Sequence, residues 1–72
     1  MLIRSQDKSI IANVIMIFSK GKKICAQYAA NTGWAANEIE VGTYADKETA
    51  MKELDNIMNF FNENPKGIYQ LK

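Results

Sequence analysis

The stretch IIANVIMIFSKGKKICAQYAA, residues 10–30, decides the fold. Its first half, residues 10–19, is rich in Ile and Val, which favour strands, and residues 22–30 predict a second strand with weaker propensity because alanines replace the branched side chains. Between them lies Lys20-Gly21, where glycine readily takes the positive φ that a tight hairpin turn requires. The stretch therefore predicts a β-hairpin.

Both faces of the first predicted strand are apolar. Strict alternation places Ile15 and Ile17 on the face opposite to Val14, Met16 and Phe18. A strand with one solvent-facing side should be polar on that side. We therefore expect something outside the chain to cover the second face, and we assign Ile15 and Ile17 to an interface between copies of this protein.

Residues 46–64 predict a helix. Asp46 is a suitable N-cap, and Asn64 ends the helix because the residue before Pro65 avoids helical geometry. We expect the apolar stripe to pack on the sheet, with Leu54 among its most buried residues. The stripe consists of Ala50, Met51, Leu54, Ile57, Met58 and Phe61.

Three short segments complete the pattern: Leu2–Arg4, residues 38–42 and Ile68–Leu71. The order β-β-β-β-α-β predicts an α+β fold, a small antiparallel sheet with one helix packed on one face. Residues 38–42 and the last segment are expected at sheet edges. Phe60 lies about 120° from the centre of the helix stripe. Because it should lack a partner within the chain, we add Phe60 to the predicted interface.

Length and composition limit the architecture. The chain has 72 residues, 47% hydrophobic and 24% charged, which describes a single domain over residues 1–72. A chain this short buries only about 60% of the surface it exposes when unfolded. One cysteine and no histidine leave no disulfide framework and no His/Cys metal site to reinforce the core. Self-association is the remaining common way to stabilise so small a core, so we expect a homo-oligomer.

The charges are unevenly placed, and they suggest a binding segment. Residues 1–24 carry a net charge of +4, although the whole chain carries +1. Arginine with neighbouring donors suits phosphate or carboxylate, so we predict an anion site. An equally simple interpretation is a structural turn closed by short polar side chains. The candidate ligand-binding residues are Arg4, Ser5, Gln6, Lys8, Trp34 and Asn37.

Catalytic chemistry is poorly represented. Histidine, the usual general base near neutral pH, is absent. Cys25 lies between apolar residues, where a thiol is inert, and suits a reducing compartment. Glu38 and Glu40 share a strand face, where paired glutamates usually solvate the strand. We predict no catalytic residue, no metal and no cofactor, hence a non-enzyme. With neither a signal peptide nor a membrane span predicted, we expect a cytoplasmic protein, and the modest charge does not favour nucleic acid.

The chain resembles a family of short, functionally uncharacterised proteins of phages and mobile elements of Gram-positive bacteria. The resemblance rests on the opening MLIRSQDK, on Val41-Gly42-Thr43-Tyr44, on the helix start Asp46–Ala50 and on the ending Ile68–Leu71. This chain differs from the family at residues 34–37, where many members are shorter, and we expect any activity peculiar to this protein to lie there. The resemblance implies a phage or prophage setting inside a host cell and carries no catalytic residues.

These expectations together favour a non-enzymatic phage-type binding protein. Its expected role is anti-defence: sequestering a small anionic, nucleotide-like ligand as a homo-oligomer. The alternative is a protein-binding inhibitor of a host defence enzyme such as a CRISPR nuclease, or a structural or accessory phage protein. The anti-defence role and both alternatives rest on the setting and not on the chemistry of particular residues.

Overall fold

The computed structural model describes residues 1–28 and 37–72. It confirms the α+β class and the order of the elements. The hairpin strands begin one residue later than predicted, and the helix has the predicted bounds. The elements are β1 (Leu2–Arg4), β2 (Ile11–Lys20), β3 (Lys23–Tyr28), β4 (Asn37–Thr43), α1 (Lys47–Glu63) and β5 (Ile68–Gln70).

The five strands form one sheet in the order β4-β3-β2-β1-β5. The prediction that β4 and β5 lie at the edges is confirmed. The prediction of an antiparallel sheet is wrong for one pair, because β5 runs parallel to β1, with Ile3 opposite Tyr69. The physical reason is the connection: α1 carries the chain from the β4 edge to the opposite edge, where β5 joins β1 in the same direction.

A β-bulge interrupts β2 and overturns its predicted alternation. The register with β3 shifts between Val14 and Met16, which leaves Ile15 as the extra residue. Val14 and Ile17 therefore both face the core, whereas Met16 turns to the opposite face. An extra residue reverses the phase of every following side chain, so strict alternation failed from position 15 onward.

The helix packs on one face of the sheet, but its buried side is rotated from the predicted stripe. Its buried residues are Ala50, Glu53 and Ile57, whereas Leu54 is only partly buried and Met58 is exposed. The expectation that Leu54 is among the most buried residues is therefore wrong. Among the described residues, no helix combines the length and apolar character needed to cross a membrane.

Phe60 packs against other aromatic rings of the same chain. The expectation that it lacks a partner within the chain, on which its assignment to an interface rested, is therefore wrong. Its ring lies 5.3 Å from that of Tyr69 and 5.1 Å from that of Phe61, both in edge-to-face geometry. A Cβ atom at Gly67 would lie 2.8 Å from the Phe60 ring, so glycine permits this close approach. The turn after α1 brings β5 under the ring, a tertiary contact that the helical pattern alone does not show.

Candidate functional site

The β1–β2 turn, residues 5–10, is organised by the carboxylate of Asp7. Its Oδ1 accepts hydrogen bonds from Ser5 Oγ at 2.6 Å, from Ser9 Oγ at 2.6 Å and from Ser9 N at 3.0 Å. These bonds, led by the one from Ser5, lower the pKa of Asp7 to about 2. Ser5 is buried, and its hydroxyl accepts a hydrogen bond from Ile10 N at 3.1 Å. These polar side chains therefore hold the turn together.

The two cations of the segment differ in their surroundings. Lys8 adopts a left-handed backbone conformation, with φ of 68°. Arg4 Nε donates to the Lys8 carbonyl oxygen at 3.1 Å, which ties β1 to the turn through one edge of the guanidinium. The Lys8 side chain is exposed, and Arg4 is partly buried. Because Ile3 points into the core, Arg4 lies on the face of the sheet opposite α1.

Gln6 connects the end of β1 to the edge strand β4. Its backbone N donates to Val41 O at 2.7 Å, and its Oε1 accepts from Thr43 N at 2.9 Å. Its Nε2 donates to Lys72 O at 3.2 Å. The sheet therefore curves enough for the residue after β1 to pair with the free edge of β4. This pairing also blunts an edge that would otherwise present open hydrogen-bonding groups.

A cavity of about 410 Å³ lies between the β1–β2 turn and β4. The charged residues in its lining are Asp7 and Glu40, and neither Arg4 nor Lys8 lines it. Two carboxylates repel an anion, so the cavity beside the predicted segment does not suit a phosphate group. The hydrogen bonds and the charge of this cavity favour the structural interpretation of residues 5–8.

The remaining predicted ligand residues are dispersed. Asn37 is partly buried at the start of β4, opposite Tyr28 and six residues before Thr43, which Gln6 contacts. Trp34 lies outside the described residues. The structure thus brings Arg4, Ser5, Gln6 and Lys8 together in one turn and leaves Asn37 at the far end of β4.

The face of the sheet opposite α1 carries a group of exposed apolar side chains, which we call the outer patch. Ile15 is 67% exposed, Ile11 is 59% exposed and Ile68 is 54% exposed. Of the predicted interface residues, Ile15 lies in this patch, whereas Ile17 and Phe60 pack against the core. The full patch comprises Leu2, Ile11, Ile15, Met16 and Ile68.

Most of the outer patch surrounds Arg4. The register places Arg4 opposite Ile11 on one side, and Leu2, on the same face of β1, stands opposite Ile68 on the other. Sequence reasoning missed these neighbours because the short strands β1 and β5 contribute only one or two outward residues each. Their pairing across the sheet, and not their spacing in the chain, creates the patch.

A buried polar cluster lies between α1 and β5. Glu53 accepts from Asn56 Nδ2 at 2.9 Å and from Lys72 N at 2.7 Å. Burial, followed by the negative charge of Glu53, raises the pKa of Tyr44 to about 12. Burial and the same carboxylate also raise the pKa of Tyr69. The spacing of apolar residues along the helix does not predict the burial of Glu53, because that burial depends on a hydrogen bond from the backbone N–H of Lys72.

The side chains considered for catalysis, on β3 and β4, are either buried or bonded to neighbouring side chains. Cys25 is buried, as predicted, and burial followed by the charge of Glu38 raises the pKa of its thiol. Glu38 pairs with Lys20 at 3.0 Å, and Glu40 accepts from the Thr43 hydroxyl at 2.6 Å. Within residues 1–28 and 37–72, no group of three or more potential ligand residues is placed to hold a metal ion.

Comparison with known protein families, with curated proteins and with solved structures gives no significant match to this chain.

Proposed function

We propose that the chain is a non-enzymatic binding protein that self-associates through the outer patch and holds a small anionic, nucleotide-like ligand where the copies meet. The observation that carries this proposal is the placement of Arg4 among exposed apolar side chains. Ile11, Leu2 and Ile68 flank it on three strands. Covering this patch with a second apolar surface would remove it from water and so stabilise a protein whose own core is small.

A two-fold arrangement fits this face. In such a dimer the same patch meets itself, so the apolar side chains are buried and each Arg4 approaches the contact. The planar guanidinium can bind a phosphate group with two parallel hydrogen bonds, and a second Arg4 would double the positive charge. The ligand would therefore be held by residues of both copies, away from the acidic cavity beside Asp7.

The biological role that we propose follows from the resemblance to short proteins of phages and mobile elements. A non-enzymatic protein in that setting would act by occupancy, removing a nucleotide signal on which a host defence depends. This part of the proposal rests on the setting alone.

The self-association is tested by sedimentation of the wild type over a hundredfold range of concentration. The double variant Ile11→Ser with Ile68→Ser should shift the protein toward monomer, because both side chains are exposed and their loss removes apolar area from the contact. The matched control is Met51→Ser with Met58→Ser, which removes exposed apolar area from α1. A wild type that is monomeric throughout, with a constant melting temperature, contradicts the proposal.

Ligand binding is tested by calorimetric titration with cyclic and linear nucleotides. Binding should weaken with salt, fall severalfold in Arg4→Lys and disappear in Arg4→Ala, because lysine offers a point charge and no planar fork. Lys22→Ala, which removes a cation from the hairpin turn, is the control. If no nucleotide binds a wild type that does self-associate, the ligand class is wrong and the self-association remains.

A further inference from the structure

An apolar groove of about 440 Å³ runs along α1 on the side where the helix meets β2. We call it the Met groove. It is separate from the outer patch, which lies on the opposite face of the sheet. Besides the buried Ile57, the apolar side chains that line it are Met1, Ile17, Met51, Leu54, Met58 and Phe61.

Methionines form the accessible part of the Met groove. Met58 is 57% exposed and Met51 is 43% exposed, and Met1 is exposed as well. The core of the protein does not require them, because Ala50 and Ile57 fill the contact between α1 and the sheet. Unbranched, polarisable thioether side chains adapt to different apolar partners and recur at protein-binding surfaces.

The spacing along α1 indicates the shape of the occupant. Met51, Asp55, Met58 and Asn62 all line the groove and follow one another at intervals of four, three and four residues. They therefore form a straight ridge about 16 Å long, or three helical turns. Ridges with this spacing pack against a second helix, whose anchors recur at the same intervals.

The charge of α1 indicates the chemistry of the occupant. Asp55 is the charged side chain in the groove lining. The helix as a whole carries two lysines against four carboxylates, and its last turn has no basic residue. A second copy of α1 packed on this side would place its own Asp55 beside the first, and the two carboxylates would repel each other. A helix with a basic polar face would be attracted instead.

We propose that the Met groove binds an amphipathic helix with a basic polar face, supplied by another protein. The apolar side of that helix covers Met51, Met58 and Leu54, and its lysines or arginines lie beside Asp55. This surface is independent of self-association through the outer patch, so the protein can hold a partner while it is assembled.

The test uses the full chain and a synthetic amphipathic peptide of about four turns, with leucines at the anchor positions and lysines on its polar face. A second peptide has the same leucines and glutamates in place of the lysines. Fluorescence anisotropy should show that the lysine peptide binds more tightly. Met51→Ser with Met58→Ser should weaken its binding about tenfold or more. Asp55→Lys should reverse the preference between the two peptides.

The sheet-face pair Ile11→Ser with Ile68→Ser is the control and should leave peptide binding unchanged. Because Asp55 is exposed, Asp55→Lys keeps the test valid even if the methionine pair lowers stability. The proposal is overturned if neither peptide binds, if both pairs of variants weaken binding equally, or if Asp55→Lys leaves the preference unchanged. It is also overturned if the methionine pair alters sedimentation of the free protein without affecting the peptide, because the groove is then a contact between copies.

Discussion

Asp7 is a single residue whose charge the β1–β2 turn requires. Two hydroxyls and one backbone N–H converge on the same carboxylate oxygen, and all three bonds favour the ionised form. Protonation would weaken this set of bonds together. The stability of the turn is therefore linked to pH through one group.

The pH dependence follows from the lowered pKa of Asp7, which is about 2 in the folded chain against an ordinary value of 3.8. Between these values the unfolded chain binds more protons, so the contribution of Asp7 to stability is complete above about pH 4 and lost as the pH falls toward about 2. In urea unfolding, Asp7→Asn should lower the midpoint at neutral pH, and its difference from the wild type should shrink through this window.

A direct measurement separates this cause from a general acid effect. NMR titration of the Asp7 carboxyl group in Ser9→Ala should show a pKa closer to the ordinary value, because one hydroxyl donor and its stabilisation of the charge are removed. An unchanged pKa in Ser9→Ala would contradict the assignment.

The helix offers a second comparison between single residues. Ile57 is buried at 4% exposure, whereas Leu54 is only partly buried beside the Met groove. Ile57→Ala should therefore lower the free energy of unfolding by about 2–5 kcal/mol, and Leu54→Ala by less. Denaturant melts of the two variants check this order. A larger loss for Leu54→Ala would mean that α1 rests on the sheet by the stripe expected from its sequence.

At the scale of elements, the bulge in β2 determines which side chains reach the core. Its extra residue, Ile15, allows Val14 and Ile17 to face the same side despite their odd spacing. Without it, residues 16–20 would change faces and place Met16 toward α1. One inserted position thus decides the packing of half of the longest strand.

Removing and replacing Ile15 should have very different effects. Deletion of the residue should unfold the protein or remove cooperative melting, because every side chain after it changes faces. Ile15→Ser, measured at a concentration low enough to keep the protein monomeric, should change the free energy of unfolding by only about 0.5 kcal/mol, because the side chain is exposed in the single chain. Circular dichroism melts distinguish the two. Equal effects would show that the side chain, and not the extra backbone unit, is what β2 requires.

At the scale of the whole molecule, Gln6 links distant parts of the chain. Its side-chain amide joins the edge of β4, through Thr43 N, to the backbone of Lys72. The same residue pairs with Val41 through its own backbone. The curvature of the sheet is therefore held at a point where three separate segments meet.

Gln6→Leu should remove both side-chain bonds while keeping the backbone bond to Val41. We expect a loss of about 0.5–1.5 kcal/mol per hydrogen bond at most, since these groups can bond to water instead. Hydrogen exchange should become faster at the Thr43 amide, and the amides within β2 should keep their protection. Unchanged exchange at Thr43 would show that β4 is held by β3 alone.

The resemblance-based setting and the nucleotide-like ligand remain predictions at this scale. The outer patch around Arg4 is the surface that we propose for this ligand, the Met groove is the surface that we propose for a helical partner, and each has its own test. The sequence indicated the outer patch only through Ile15 and the Met groove only through the helix stripe, because each surface combines residues from separate elements. Ile68 and Leu2 become neighbours only through the parallel pairing of β5 with β1.

The sequence by itself determined the local features of this protein. The hairpin, the N-cap at Asp46 and the end of α1 at Asn64 depend on nearby residues and on backbone preferences. The structure confirms the two helix ends and the hairpin, whose turn is Gly21-Lys22, one residue later than the predicted Lys20-Gly21. The buried, weakly acidic Cys25 was likewise foreseeable from its apolar neighbours. Such features need no knowledge of distant contacts.

Only the tertiary structure decided which faces are buried and which surfaces remain open. The bulge at Ile15 changed the phase of β2, and the N–H of Lys72 made the burial of Glu53 tolerable. Phe60 packs against the ring of Tyr69 on β5. In each case the deciding contact joins residues far apart in the chain, and periodicity within one element carries no information about a partner that another element supplies.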